Sequence, residues 1–123
     1  MSETEARKAV ETFFIAFNAQ DEEALKNVQH YPHVMIANKK VFIMKDPSEF
    51  INYSQGLSER EGWHHSAVES LEAIHVSDDK VHFKIEFGRY KADGEKYAHY
   101  KGIWIFTREK DHWGLLARSI YTP

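Results

Sequence analysis

Eight of the 123 residues are histidine, the side chain best suited to carry a proton near neutral pH. Their spacing decides what they can do together. His30 and His33 flank Tyr31-Pro32, and the proline denies that stretch a regular helix, so the i, i+3 spacing does not bring both rings to one helical face. The segment reads as a turn entering a strand, with His30 at the end of the preceding helix, and no metal site is expected there. His64 and His65 are neighbours on a predicted strand and must point to opposite faces. Trp63, His65, Ala67, Glu69 and Leu71 share one parity, which aims His65 at the interior and makes it the candidate proton carrier. A bulge near Glu72-Ala73 would reverse that assignment. Glu69 lies about 13 Å farther along the same face, too far to touch His65. His75, His82 and His112 read as outer-face or turn residues, and His99 lies opposite the interior parity. There is no cysteine, which removes thiolate chemistry and cysteine metal sites. No cofactor is expected.

The elements that would hold these side chains divide the chain in two. Ser2 and Glu5 suggest a capping box, and Val10, Phe13, Phe14 and Phe17 follow at i, i+3, i+4, i+7 spacing, the signature of a helix with one apolar stripe. Asn18-Ala19-Gln20 ends it, and Asp21 caps a short second helix bearing Ala24, Leu25 and Val28. A small hairpin from Val34 to Met44 turns at Asn38-Lys39-Lys40. Asp46-Pro47-Ser48-Glu49 starts a third helix with Phe50, Ile51 and Tyr53, and a polar loop from Ser58 to Gly62 leads on. The rest reads as a four-strand antiparallel meander, roughly Trp63–Val76, Lys80–Lys91, Lys96–Arg108 and His112–Tyr121. Helices segregated from an antiparallel sheet pack on one of its faces, so the fold class is α+β, a single domain over residues 1–123.

Alternation along the strands sorts the faces. Val81, Phe83, Ile85 and Phe87 alternate with His82, Lys84, Glu86 and Gly88, so one face is core and the other wet. On the third long strand Tyr100, Trp104 and Phe106 oppose Ile103 and Ile105; on the fourth, Leu116 and Ile120 oppose Leu115 and Tyr121. Apolar residues on both faces imply that both are covered. A homodimer through Ile103, Ile105, Leu116 and Ile120 is the expected cover for the outer one.

Charge and composition narrow the partners. Sixteen basic and 19 acidic residues are well mixed, with formal net charge -3, so neither nucleic acid nor an acidic membrane surface is an expected partner. The acidic start Met1-Ser2-Glu3-Thr4-Glu5 is unlike a secretory signal and no apolar run approaches spanning length, which predicts a cytoplasmic protein. Aromatics make up 14% of the chain, more than a small core demands, and could line a cavity.

The stripe running into Phe17-Asn18-Ala19-Gln20-Asp21, the short second helix, the capped third helix and the closing Ala117-Arg118-Ser119-Ile120-Tyr121 together resemble the nuclear transport factor 2-like superfamily. That group includes ketosteroid isomerase and the SnoaL-like cyclases. His30-Tyr31-Pro32-His33, Gly62-Trp63 and the stretch from Trp113-Gly114 to Arg118-Ser119 are similar to a group of bacterial proteins with no assigned activity. The resemblance implies a cone-shaped fold, N-terminal helices on a strongly curved, mostly antiparallel sheet, and dimers through the outer sheet face. Carried over residue by residue, the isomerase's oxyanion-hole tyrosine falls on Phe13, its general base on or near Ala37 and its second acid on or near Gly102. That mechanism needs a carboxylate and two acidic donors, so it is not expected.

The same alignment and the alternation point Phe83, Ile85, Phe87, Tyr100, Trp104, Phe106, Ala117, Ser119 and Tyr121 into the cone. They either fill a core against Phe13, Phe14 and Phe17 or line a cavity. Tyr100, Ser119 and Tyr121 favour a cavity, because buried hydroxyls need partners that a ligand can supply. The expected pocket is Phe13, Phe17, Trp63, His65, Phe83, Phe87, Tyr100, Trp104, Ser119 and Tyr121, receiving a small apolar or aromatic ligand. Two functions follow. One is a binding domain with no reaction; the other is an acid/base isomerase, cyclase or hydrolase on an apolar ring-containing metabolite, with His65 as proton carrier and Tyr100 or Tyr121 as donors.

Overall fold

Helix α1 (Ser2–Ala19) buries Ala6, Val10, Phe13, Phe14 and Phe17 along one stripe, as its spacing predicts. Ser2 is already helical and Met1 occupies the cap position, so the expected Ser2–Glu5 box does not form; the Glu5 amide donates instead to the Met1 carbonyl. Gln20 closes the helix in the left-handed region, at φ 52°. Asp21 accepts from the Glu23 and Ala24 amides to start α2 (Glu22–Leu25), and Asp46 accepts from Ser48 and Glu49 to start α3 (Pro47–Gln55). Where a polar loop is expected, α4 (Leu57–Glu61) forms, held down by the fully buried Leu57.

This computed structural model describes residues 1–121. Six strands, β1 (Gln29–Ala37), β2 (Lys40–Met44), β3 (His65–Val76), β4 (Lys80–Tyr90), β5 (Lys96–Glu109) and β6 (His112–Tyr121), form one sheet in the order β2-β1-β6-β5-β4-β3. All neighbours are antiparallel except β1 and β6. The sheet curls around α1, giving the helices-on-curved-sheet α+β architecture. His30-Tyr31-Pro32-His33 is part of β1 rather than a turn, because Gln29, His33 and Met35 are buried at a period of two.

Six of the aromatics expected to line a pocket make the core instead. Phe13, Phe17, Trp63, Phe83, Phe87 and Trp104 are all buried, because α1 lies directly across the inner face of β3 to β6. Phe13 meets Trp104 edge-on at 5.1 Å, Phe14 stacks on it at 5.5 Å, and Trp63 packs against Phe17 at 5.3 Å. Each such ring contributes roughly 1.5–3 kcal/mol by leaving water. At the end of α1 the Asn18 side chain donates to the Ser66 carbonyl and accepts from its amide, both at 2.8 Å, tying the helix to the outermost strand β3.

A bulge in β6 and the phase in which β3 begins overturn the simple parity. In β6, Phe106 pairs with Leu115 but Ile105 with Ala117, leaving Leu116 as an extra residue. Beyond that bulge Arg118 and Ile120 point inward, while Ser119 and Tyr121 point out, Tyr121 being 68% exposed. Ser119 and Tyr121 are therefore not pocket residues, and Ile120 is not part of the outer face. In β3, Ser66 pairs with the buried Arg89, so its neighbour His65 faces outward, where it stacks on Tyr90 at 4.9 Å. His65 does not reach the interior.

Candidate functional site

At the open end of the curled sheet, where α1 no longer covers it, lies a cleft of about 390 Å³. Met35 and Ala37 of β1, Phe42 and Met44 of β2 and Ile120 of β6 give it apolar walls, with Asn38 and Ile43 at the β1–β2 end. Tyr53 of α3, Glu61 of α4, Arg89 of β4 and Tyr100 of β5 make the opposite, polar wall. Its size is in the range of small-molecule sites. Of the residues expected from the sequence, Tyr100 alone is among these lining groups.

The polar wall is one bonded network. Arg89 Nη1 donates to both Glu61 oxygens at 3.1 and 3.3 Å, its Nη2 donates to the Tyr53 hydroxyl at 3.2 Å, and its guanidinium lies 4.9 Å over the Tyr100 ring. Tyr97 donates to Glu61 at 2.6 Å. Burial opposes the arginine's charge, but Tyr53, Tyr100 and Glu61 outweigh it and its pKa is raised. Burial likewise raises the Tyr100 hydroxyl. Glu61 is thus committed as acceptor to Arg89 and Tyr97, which leaves the cleft with donors and a held cation rather than a free base.

Behind the cleft sits a second polar group. Arg118 pairs across the sheet with Met35 on one side and Trp104 on the other, and its guanidinium stands 5.4 Å from the Trp104 ring. It is 5% exposed, and burial, reinforced by Arg89, holds its pKa down at about 10. On β1 nearby, the His33 imidazole is completely buried; burial first and Arg118 second push its pKa down to about 3, so it is neutral in ordinary buffers. Burial and Asp46 push the Tyr31 hydroxyl up to about 12. Among the described residues the Tyr31 hydroxyl, both His33 nitrogens, Trp104 Nε1, and Nε and Nη2 of Arg118 have no hydrogen-bond partner. The carbonyls of Leu115 and Leu116 stand near His33 without completing a well-formed bond.

Sequence reasoning misses both arginines. Arg89 was within reach, since it continues the inward parity of Phe83, Ile85 and Phe87. Arg118 was not, because its direction depends on the Leu116 bulge. On the outer face Glu69 binds Lys96 Nζ, His99 contacts Glu86 and Glu69, and His64 contacts His65. Among the described residues no group of three or more metal-ligating side chains assembles. No helix of the described residues is long and apolar enough to cross a membrane.

The family model described as NTF2-like protein (DUF6841) matches residues 3–122. The chain belongs to this family. No curated protein matches it. Solved structures similar to it include an NTF2-like protein with a cystatin-like fold from Novosphingobium aromaticivorans, at TM-score 0.79 and 13% identity over 98% of this chain and 81% of the other. A protein of unknown function with a cystatin-like fold from Nostoc punctiforme aligns at TM-score 0.80 and 10% identity, over 98% and 90% of the two chains. An NTF2-like protein from Cytophaga hutchinsonii aligns at TM-score 0.73 and 12% identity, over 94% and 93%. At such identities the likeness carries the fold alone.

In this NTF2-like protein the three positions aligned with isomerase chemistry are accounted for by packing and space. Phe13 is buried under Trp104. Ala37 does line the cleft, but with a methyl group. A Cβ at Gly102 would stand 2.2 Å from the Ser119 carbonyl oxygen, so no side chain can stand there without moving β6.

Proposed function

We propose that the chain is a single small-molecule-binding domain whose cleft takes an apolar or aromatic metabolite, with no reaction assigned. The observation that carries this reading is the contrast between the two walls. Met35, Phe42, Met44 and Ile120 offer apolar surface, while Tyr53, Arg89 and Tyr100 face them with oriented polar groups, the usual makeup of a small-ligand site. Tyr100 keeps the pocket role expected for it, as part of the polar wall rather than of an aromatic cone. The acid/base alternative loses its proton carrier, since His65 stacks with Tyr90 on the outer face, and the carboxylate lining the cleft is already taken up by Arg89 and Tyr97.

A second copy of the chain is the proposed cover of the outer face. Val34 and Ile36 of β1, Val41 and Ile43 of β2, Ala117 of β6 and Ile103 and Ile105 of β5 are register neighbours across four adjacent strands. Ile36, Val41 and Ile43 are exposed. A continuous apolar face of this kind suits an isologous dimer, in which the same patch meets itself.

Titration with the neutral fluorophore N-phenyl-1-naphthylamine tests the cleft. Binding is expected in the wild type and its loss in Ile120→Lys, with the thermal midpoint little changed because Ile120 sits beside open space. Undiminished binding by that variant would remove the cleft as the site.

A further inference from the structure

Among the described residues Arg118 is a cation without an anion. Its side chain is buried just behind the lining residues, paired across the sheet with the cleft-lining Met35 and with Trp104, and two residues before the cleft-lining Ile120 on the same strand. Nε and Nη2 have no acceptor. A lone ion inside a protein is strongly disfavoured unless something neutralises it. Arg89 lines the cleft and is bonded to Glu61, the one carboxylate among the described lining residues, while Arg118 lies close enough for Arg89 to depress its pKa and has no such partner among the described residues. The charge is therefore unbalanced by one.

The neighbours of Arg118 share the imbalance. Among the described residues the Tyr31 hydroxyl and Trp104 Nε1 are further donors without acceptors. A site with surplus donors and one surplus positive charge matches an acceptor-only anion. Carboxylate fits the planar fork of arginine bidentately. The apolar walls above would hold the rest of the molecule.

We infer that the ligand of this cleft is a small apolar or aromatic carboxylic acid, bound as its anion with the carboxylate on Arg118. This rests on the cleft reading above and adds the ligand's class. The Arg118 guanidinium stands 5.4 Å from the Trp104 ring, and Arg89 stays paired with Glu61.

Calorimetric titration with 2-naphthoate and its neutral counterpart 2-naphthamide tests the inference. The wild type should bind the carboxylate at least about tenfold more tightly than the amide, as expected for charge-assisted hydrogen bonds. Arg118→Met should bring the two affinities together, and the thermal midpoint of the ligand-free variant should hold or rise, because a buried unpaired charge has been removed. Should that variant not fold, Arg118→Lys serves: it keeps the charge but loses the fork, and should weaken naphthoate while leaving naphthamide unchanged. Equal wild-type affinity for both compounds would overturn the inference and leave the cleft standing. Binding of neither would remove the cleft itself. A preference surviving in Arg118→Met, or an equal loss for both compounds in Arg118→Lys, would take the anion away from Arg118.

Discussion

Acidification should unfold this protein through His33. The ring is completely buried, and its pKa falls from 6.5 to about 3, through burial first and Arg118 second. Because the folded value lies below the unfolded one, the unfolded chain takes up the proton first. Stability is unaffected by this group above pH 6.5, then declines by about 1.4 kcal/mol per pH unit down to the folded pKa. Between about pH 7 and about pH 5 the loss integrates to about 2 kcal/mol, and it hardly changes for any folded pKa well below 5. Urea unfolding of the wild type and of His33→Leu at both pH values isolates the effect, since other titrating groups act alike in both proteins. The wild type should lose about 2 kcal/mol more than the variant. Equal losses would mean that His33 accepts a proton in the folded state and is not held neutral by its surroundings.

Trp104→Leu should destabilise the fold by about 3 kcal/mol in denaturant titrations, because the ring packs against Phe13, Phe14 and Phe87; a loss below about 1 kcal/mol would contradict its place in the core. Gly102→Ala should cost about 1–3 kcal/mol or block folding, measured by thermal unfolding, since the added carbon collides with the Ser119 carbonyl; a neutral effect would mean that β5 and β6 separate easily there. Sedimentation at micromolar concentration should report a dimer that Ile105→Asp converts to monomer, and a wild-type monomer would leave the outer face without its proposed cover.

The helices were legible because their signals are local. The phenylalanine stripe of α1 and the aspartate caps of α2 and α3 involve residues within a few positions of one another, and each appears where its spacing implies. The inward face of β4 was legible for a similar reason, since strict alternation from Val81 to Phe87 leaves no second choice. The site was harder to read. Leu115, Leu116 and Ala117 are apolar in succession, so nothing in the sequence marks which of them is extra, and the fate of Arg118, Ser119, Ile120 and Tyr121 hangs on that one residue. His65 was misread because its direction follows from pairing with Tyr90, a partner on the next strand. The aromatic parity itself was sound for Phe83, Phe87 and Trp104; α1 lies on those rings and closes the space, and the cleft opens farther along, where β1 and β2 extend past it.

The parallel pairing of β1 with β6 also bears on how the site comes into being. Strands β3 to β6 form by successive hairpins between chain neighbours, whereas Ile36 finds Ser119 only after almost the whole chain between them has been placed. Closing so long a loop is slow and entropically unfavourable. The β1–β2 hairpin is therefore expected to dock late and open first, with hydrogen exchange faster in β1 and β2 than in β4 and β5. Since that hairpin is one whole wall of the cleft, a ligand would act as the clasp that holds the last-folded part of the molecule in place.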